Sequence, residues 1–207
     1  MLIAENITLE SRKTALLAAR ELRVESGSAA LLIGDNNSGK SLLLQAINNR
    51  YPYQGVIQIH TSTPLLNKLY RRRSKTIFLE HTANCIELDT VWRNILLPME
   101  KLSSRQEQKV KEFCEMAKIP QPRATRIAGL SLSQVKLVEL IRAVIQLPAV
   151  LLIDDIDTFF DEKTMLIVHQ ILDFSLRSGT SILATAKSHI DGFWRYYRIQ
   201  RGIVVQL

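Results

Sequence analysis

Apolar positions along the chain switch between a period of two and a period near 3.6, which divides it into strand-like and helix-like segments. Leu2 to Leu9 and Glu21 to Glu25 alternate as strands, and Gly27 turns the chain into the apolar run Leu31-Leu32-Ile33. A helix with an apolar face opens at Ser41 and runs through Ile47. Tyr51-Pro52-Tyr53-Gln54-Gly55 then breaks the chain, and Val56 to His60 alternates as a short strand. Thr76 to Leu79 reads as another strand. From Ser103 to Lys118 charges occupy one side while Val110, Phe113, Met116 and Ala117 occupy the other, which predicts an amphipathic helix ended by Pro120 and Pro122. A helix from Ser133 to Leu147 stops at Pro148, and Ala149 to Ile153 is an apolar strand ending in Asp154-Asp155. Thr164 to Arg177 is a helix closed by Gly179, Ser181 to Ala184 a strand, and Ile199 with Ile203-Val204-Val205 a closing hairpin around Arg201-Gly202. Strands interleaved with helices predict an α/β fold, and the mainly helical middle third, approximately residues 81–135, predicts a lobe on that core.

One segment adds chemistry to this frame. Gly34-Asp35-Asn36-Asn37-Ser38-Gly39-Lys40-Ser41 fits G-x-x-x-x-G-K-[ST], between an apolar strand and a helix. In that setting consecutive backbone N–H groups curl around phosphate oxygens, and the helix N-terminus, from Ser41 and Leu42 onward, adds partial positive charge. Lys40 is placed to reach the β/γ-phosphates and the Ser41 hydroxyl to ligate Mg²⁺. Asn37 stands in a tight loop, where Asn tolerates positive φ better than most residues. A phosphate loop also needs a carboxylate at the end of a neighbouring strand, and Asp154 meets that need.

Bulk properties narrow the setting. At 207 residues with 46% apolar composition, the chain suffices for one domain with a substantial core. No run approaches the ~18 apolar residues of a membrane-spanning helix, and no leader is expected from the first residues. Cys85 and Cys114 are too few for a disulfide framework, which suggests a reducing, cytoplasmic setting. The net charge of +7 is densest at Arg71-Arg72-Arg73-Ser74-Lys75. That run reads first as a solvated helix end, then as a docking surface for an anionic membrane or acidic partner. No aromatic residues interleave with it, so nucleic acid is not an expected partner.

Leu130-Ser131-Leu132-Ser133-Gln134, then Arg142-Ala143, Pro148 and the strand ending in Asp154-Asp155, resemble in order and spacing the ATP-binding cassette (ABC) family. Its signature reads L-S-G-G-Q, followed by R-A, a proline and a D-E pair. The resemblance covers nearly the whole chain. It implies a P-loop NTPase core of the ABC type, an N-terminal antiparallel β subdomain and a helical signature lobe, with residues 1–207 forming one nucleotide-binding domain. It implies ATP and Mg²⁺ as ligands, with Ser41 and Asp154 on the metal and Gly34 to Leu42 on the phosphates. It also implies a homodimer or heterodimer of cassettes in which Ser131 and Gln134 face the partner's nucleotide, and a membrane permease-like protein on which the dimer acts, at the inner face of the membrane. The run Thr90 to Met99 resembles a branch serving bacterial cell division, lipoprotein release and macrolide export.

Five departures from the family pattern bear on catalysis. The general base is Asp155 where the family has Glu, one methylene shorter. The switch histidine falls at Ala186, with His189 three residues on as a substitute. The glutamine that ends the strand Thr76-Ile77-Phe78 falls at Leu79, and a one-residue slip presents Glu80 instead. Both signature glycines are replaced, by Leu132 and Ser133, which adds bulk where backbone approaches phosphate. The adenine-stacking aromatic falls near Ser11, in a segment without aromatics. Asp161 matches the aspartate of the following loop and also suits a helix N-cap. These changes imply slow or absent hydrolysis with nucleotide binding retained. The readings they leave open are a weakened ATPase and a nucleotide-gated interaction module.

Overall fold

The computed structural model describes residues 1–11, 14–60 and 76–207. The basic run Arg71 to Lys75 and the side-chain position near Ser11 lie outside the described residues. Among the described residues nine strands form one sheet in the order β4-β1-β2-β9-β8-β3-β7-β6-β5. They are β1 (Leu2–Ser11), β2 (Thr14–Val24), β3 (Ala29–Ile33), β4 (Gln54–Ile59), β5 (Thr76–Leu79), β6 (Val150–Ile153), β7 (Ser181–Ala186), β8 (Arg195–Gln200) and β9 (Ile203–Gln206). The β4-β1-β2 end is antiparallel, and β8, β3, β7, β6 and β5 run parallel. The expected α/β class, β subdomain and helical lobe are all present.

The parallel strands are apolar on both faces because both faces are covered. Leu31, Leu151, Ile153, Ile182 and Ala184 point into a core shared with the helices α2 (Val91–Leu96), α3 (Ser104–Met116), α4 (Leu132–Val144) and α5 (Glu162–Leu176). Leu32, Val150, Leu152 and Leu183 point to the other side, where α1 (Lys40–Ile47) and the β subdomain pack. Several strands are longer than the sequence pattern predicted, β2 and β8 most of all. β2 begins at Thr14 rather than Glu21, since Leu17, Ala19, Leu22 and Val24 are buried in turn although the Leu16 to Arg20 stretch carries no clear alternation by residue type. β8 extends back to Arg195 because Tyr197 buries its ring and donates its hydroxyl to the Arg23 carbonyl at 2.9 Å. The helix α2 has no counterpart among the predicted elements; Thr90 caps it, accepting from the Arg93 N–H.

Candidate functional site

The C-terminal ends of β3, β5, β6 and β7 lie along one edge of the sheet, the edge where open α/β sheets bind ligands. The loop from Gly34 leaves β3 there and is pinned by the Gly34 N–H donating to the Ala186 carbonyl at 3.2 Å. Its conformation requires the residues that occupy it. Gly39 has φ 100°, and a Cβ there would stand 3.0 Å from Leu17 Cδ1. A Cβ at Gly34 would stand 2.6 Å from Ser38 Oγ. Asn37 takes φ 61°, the left-handed conformation foreseen for it.

Asn36, Asn37, Ser38, Gly39, Lys40, Ser41 and Leu42 line an open cavity of about 530 Å³, together with His81, Asp155, Thr158 and Lys187. That size suits a nucleotide-sized ligand. Lys40 is 5% exposed, and its Nζ donates to the Gly34 and Asp35 carbonyls at 2.7 and 3.0 Å. Those contacts fold the ammonium back over the loop while a third proton remains for a ligand. Asp155 Oδ1 lies 3.9 Å from the same Nζ.

Asp154 and Asp155 are organised by one hydroxyl. Thr185 Oγ1 donates to Asp154 Oδ1 at 2.8 Å and accepts from the Asp155 N–H at 2.8 Å. Asp154 is buried and does not line this cavity, and one of its carboxylate oxygens is engaged by Thr185. Asp155 has φ 46°, an uncommon conformation for a residue other than glycine that Asp tolerates. Its Oδ1 is buried without a hydrogen-bond partner among the described residues. Burial raises the Asp155 carboxyl above its ordinary value, and Asp154 adds to the rise while Lys40 opposes it.

The remaining sequence candidates divide. Glu80 turns its carboxylate to Arg50, which follows the far end of α1 from the loop, while its carbonyl accepts from Lys136 Nζ at 2.7 Å. His189 stacks on Tyr196 at 4.5 Å, and its Nε2 lies 3.1 Å from Asp191 Oδ1. It lines a separate depression with Asp35, Arg198 and Arg201. Ala186 is fully buried in the sheet. Ser131 and Gln134 form a capping box on α4: Ser131 Oγ accepts from the Gln134 N–H, and Gln134 Oε1 accepts from the Ser131 N–H. Neither lines this chain's own phosphate-loop cavity. Leu132 is exposed, and Ser133 Oγ donates to the Phe159 carbonyl at 2.7 Å. Asp161 caps α5, accepting from the Thr164 N–H at 2.8 Å; hydrogen bonding from the Thr164 side chain first, and from its N–H second, holds the Asp161 carboxyl below the ordinary value.

Three residues at the edge were not singled out from the sequence: Thr185, His81 and Lys187. His81 Nδ1 lies 3.6 Å from Asp155 Oδ2. The signal for it is the parallel pairing of β5 with β6, Leu79 opposite Ile153, which puts residues just past both strands side by side. Lys187 adds an exposed cation at the cavity mouth, and its N–H donates to Asp157 Oδ2 at 2.8 Å.

The donor set is oxygen only. The Ser41 hydroxyl and the Asp154 carboxylate, with Asp155 adjacent and its Oδ1 without a hydrogen bond among the described residues, suit a hard cation such as Mg²⁺. Among the described residues no group of three or more His, Cys, Asp or Glu side chains is arranged to hold a metal alone. Most ligands would therefore come from nucleotide phosphates and water.

Comparison with known proteins bears on the family and the fold. The family described as "ABC transporter" matches residues 17–158. The methionine import ATP-binding protein MetN of Clostridioides difficile (strain 630) is 28% identical over 191 residues, 88% of this chain and 60% of that protein. The uncharacterized ABC transporter ATP-binding protein YybJ of Bacillus subtilis (strain 168) is 24% identical over 188 residues, 90% of this chain and 85% of that protein. The chain thus spans less than two thirds of the first relative and most of the second. Among solved structures, the dimeric ABC transporter cassette MJ0796 superposes with a TM-score of 0.76 at 22% identity, over 99% of this chain and 96% of that one. The same cassette in a post-hydrolysis state with ADP and Pi gives 0.74 at 22% identity, over 99% and 96% of the two chains. At such identity the likeness is one of fold.

Proposed function

The chain belongs to the ABC transporter family, and from that premise we propose that it is the ATP-binding subunit of a bacterial ABC system. It couples Mg-ATP binding, with slow hydrolysis, to a membrane permease-like partner. The observation that carries this reading is the phosphate-loop cavity, lined by Lys40, Ser41 and Asp155, with Asp154 tied to Asp155 through the Thr185 hydroxyl.

In this reading the loop N–H groups and Lys40 bind the phosphates, and the Ser41 hydroxyl and Asp154 hold the cation. Mg²⁺ held there would neutralise phosphate charge. Asp155 is the base that orients the attacking water and takes its proton, and its carboxyl is raised mainly by burial. The shorter side chain and the buried alanine at position 186 remove reach and one γ-phosphate contact, so turnover is slow.

Ser131 and Gln134 sit at the α4 N-terminus, away from this chain's own cavity, and serve a nucleotide held by a second cassette. A cassette dimer, with itself or with a different cassette, follows from that placement. Among the described residues no helix is long and apolar enough to cross a membrane. In this reading the chain acts from the cytoplasmic side, peripheral to the inner face, through its permease-like partner. The Thr90 to Met99 run, which includes α2, supports the cell-division, lipoprotein-release or macrolide-export branch. Methionine import, the task in the name of the MetN relative, is the competing assignment.

A second reading, a nucleotide-gated module without turnover, is favoured by the buried Ala186 and by Glu80 turning to Arg50. Phosphate release from Mg-ATP by the purified chain, against Lys40→Ala, decides between them. Release above that control supports the ATPase. Nucleotide binding with no release supports the module.

A further inference from the structure

We propose that His81 is a ligand of the terminal phosphate and the residue by which this site prefers a nucleoside triphosphate to a diphosphate. The inference rests on the reading that the phosphate-loop cavity holds Mg-ATP. The imidazole lines that cavity together with Lys40, Ser41, Asp155 and Lys187. Its Nδ1 is 3.6 Å from Asp155 Oδ2, and Asp155 is the carboxylate nearest the Lys40 ammonium. The ring is therefore on the side of the cavity where Lys40 and Asp155 meet, which is the end assigned to the β- and γ-phosphates. In the imidazolium both ring nitrogens carry an N–H, so that one faces the Asp155 carboxylate and the other donates to an anionic oxygen.

The position is built rather than incidental. Both backbone flanks of His81 are tied to a buried charge cluster on α4. The Glu80 carbonyl accepts from Lys136 Nζ at 2.7 Å, and the Asn84 N–H donates to Glu139 Oε1. Lys136 and Glu139 are 3.0 Å apart and nearly inaccessible to solvent. Phe159 then fixes the ring itself. Its centroid is 5.2 Å from that of His81, its other neighbour is the Lys136 ammonium at 4.9 Å, and its carbonyl accepts from Ser133 Oγ at 2.7 Å. This is heavy support for a side chain that stays 53% exposed and that contributes little to the core.

A contact made only to the terminal phosphate strengthens binding of the triphosphate alone. Affinities of the full chain for Mg-ADP and for a non-hydrolysable Mg-ATP analogue, measured by titration calorimetry, test this. His81→Ala is expected to weaken the analogue about tenfold, the scale of one hydrogen bond to a charged group, and ADP less than twofold. His81→Gln, which keeps an N–H donor on a side chain of similar reach, is expected to recover most of the loss. Lys40→Ala should weaken both nucleotides. Equal effects of His81→Ala on both nucleotides, or no effect on either, would overturn the assignment while leaving the site itself intact. A wild-type chain that binds neither nucleotide would overturn the assignment and the nucleotide reading together.

Discussion

Thr185 holds two acids with one hydroxyl, donating to Asp154 and accepting from the N–H of Asp155. Thr185→Val keeps the shape and orphans both partners. Two buried polar groups left unsatisfied predict a loss of about 3 kcal/mol, to be read from urea unfolding, together with weaker Mg²⁺-dependent nucleotide binding. Asp155 carries a cost of its own. Its carboxyl is raised in the folded state by burial first and by Asp154 second. A raised carboxyl favours the fold below its unfolded value, and that contribution is lost as pH rises through the folded value. At neutral pH the anion therefore destabilises the unliganded chain. Asp155→Asn is expected to raise the melting temperature at pH 7, with a margin that narrows as pH falls toward 3.8, and to abolish phosphate release. A margin independent of pH would assign the gain to the φ of 46° instead, which Asn also tolerates. At this scale the loop residues were legible from their spacing, Asp154 from an apolar strand ending in an acid, and Asp155 from the family resemblance. Thr185 and His81 were not, since their roles depend on which strands are neighbours.

Helix α4 shows how an element can be legible in outline and hidden in content. Its apolar period and terminal proline were plain, and it ends at Val144, three residues before the predicted limit. The capping box of Ser131 and Gln134 shifted its start to Leu132. What the pattern could not reveal is that Lys136 and Glu139 point inward. Glu139 is 3% exposed between Lys136 at 3.0 Å and Arg142 at 3.6 Å, and it also accepts from the Asn84 N–H. Glu139→Ala strands two cations and a backbone donor. It is expected to cost about 3–5 kcal/mol in denaturant unfolding and to loosen the segment that carries His81. Strands β2 and β8 were under-read for a related reason. Small and aromatic residues take their faces from the sheet around them, and Tyr197 is buried among charged neighbours in the chain.

For the whole molecule, the two cores divide the work: one supports the helical lobe, the other seats α1 and the β subdomain under the phosphate loop. Cys114 lies in the first, fully buried, with its thiol pushed up to about 12 by burial. Alkylation of the native chain at pH 8 is expected to spare Cys114 until denaturant unfolds the domain, as peptide mapping would show. Assembly is the other property of this scale. Leu132 stands exposed at the start of α4, where a second cassette would approach in the proposed dimer. Leu132→Gly in an Asp155→Asn background is expected to raise the ATP-dependent dimer fraction in sedimentation velocity. An unchanged fraction would remove bulk as the obstacle.

Everything above turns on the loop from Gly34 to Leu42 holding Mg-ATP through Lys40. Titration calorimetry of Mg-ATP into the wild-type chain and into Lys40→Ala, with matched circular dichroism to verify that both are folded, addresses that claim most directly. The account predicts saturable one-site binding by the wild type and none, or binding weakened at least a hundredfold, by the variant, as expected when a charge-assisted contact to phosphate is lost. A folded wild-type chain that gives no binding, or a variant that binds as well as the wild type, would contradict it.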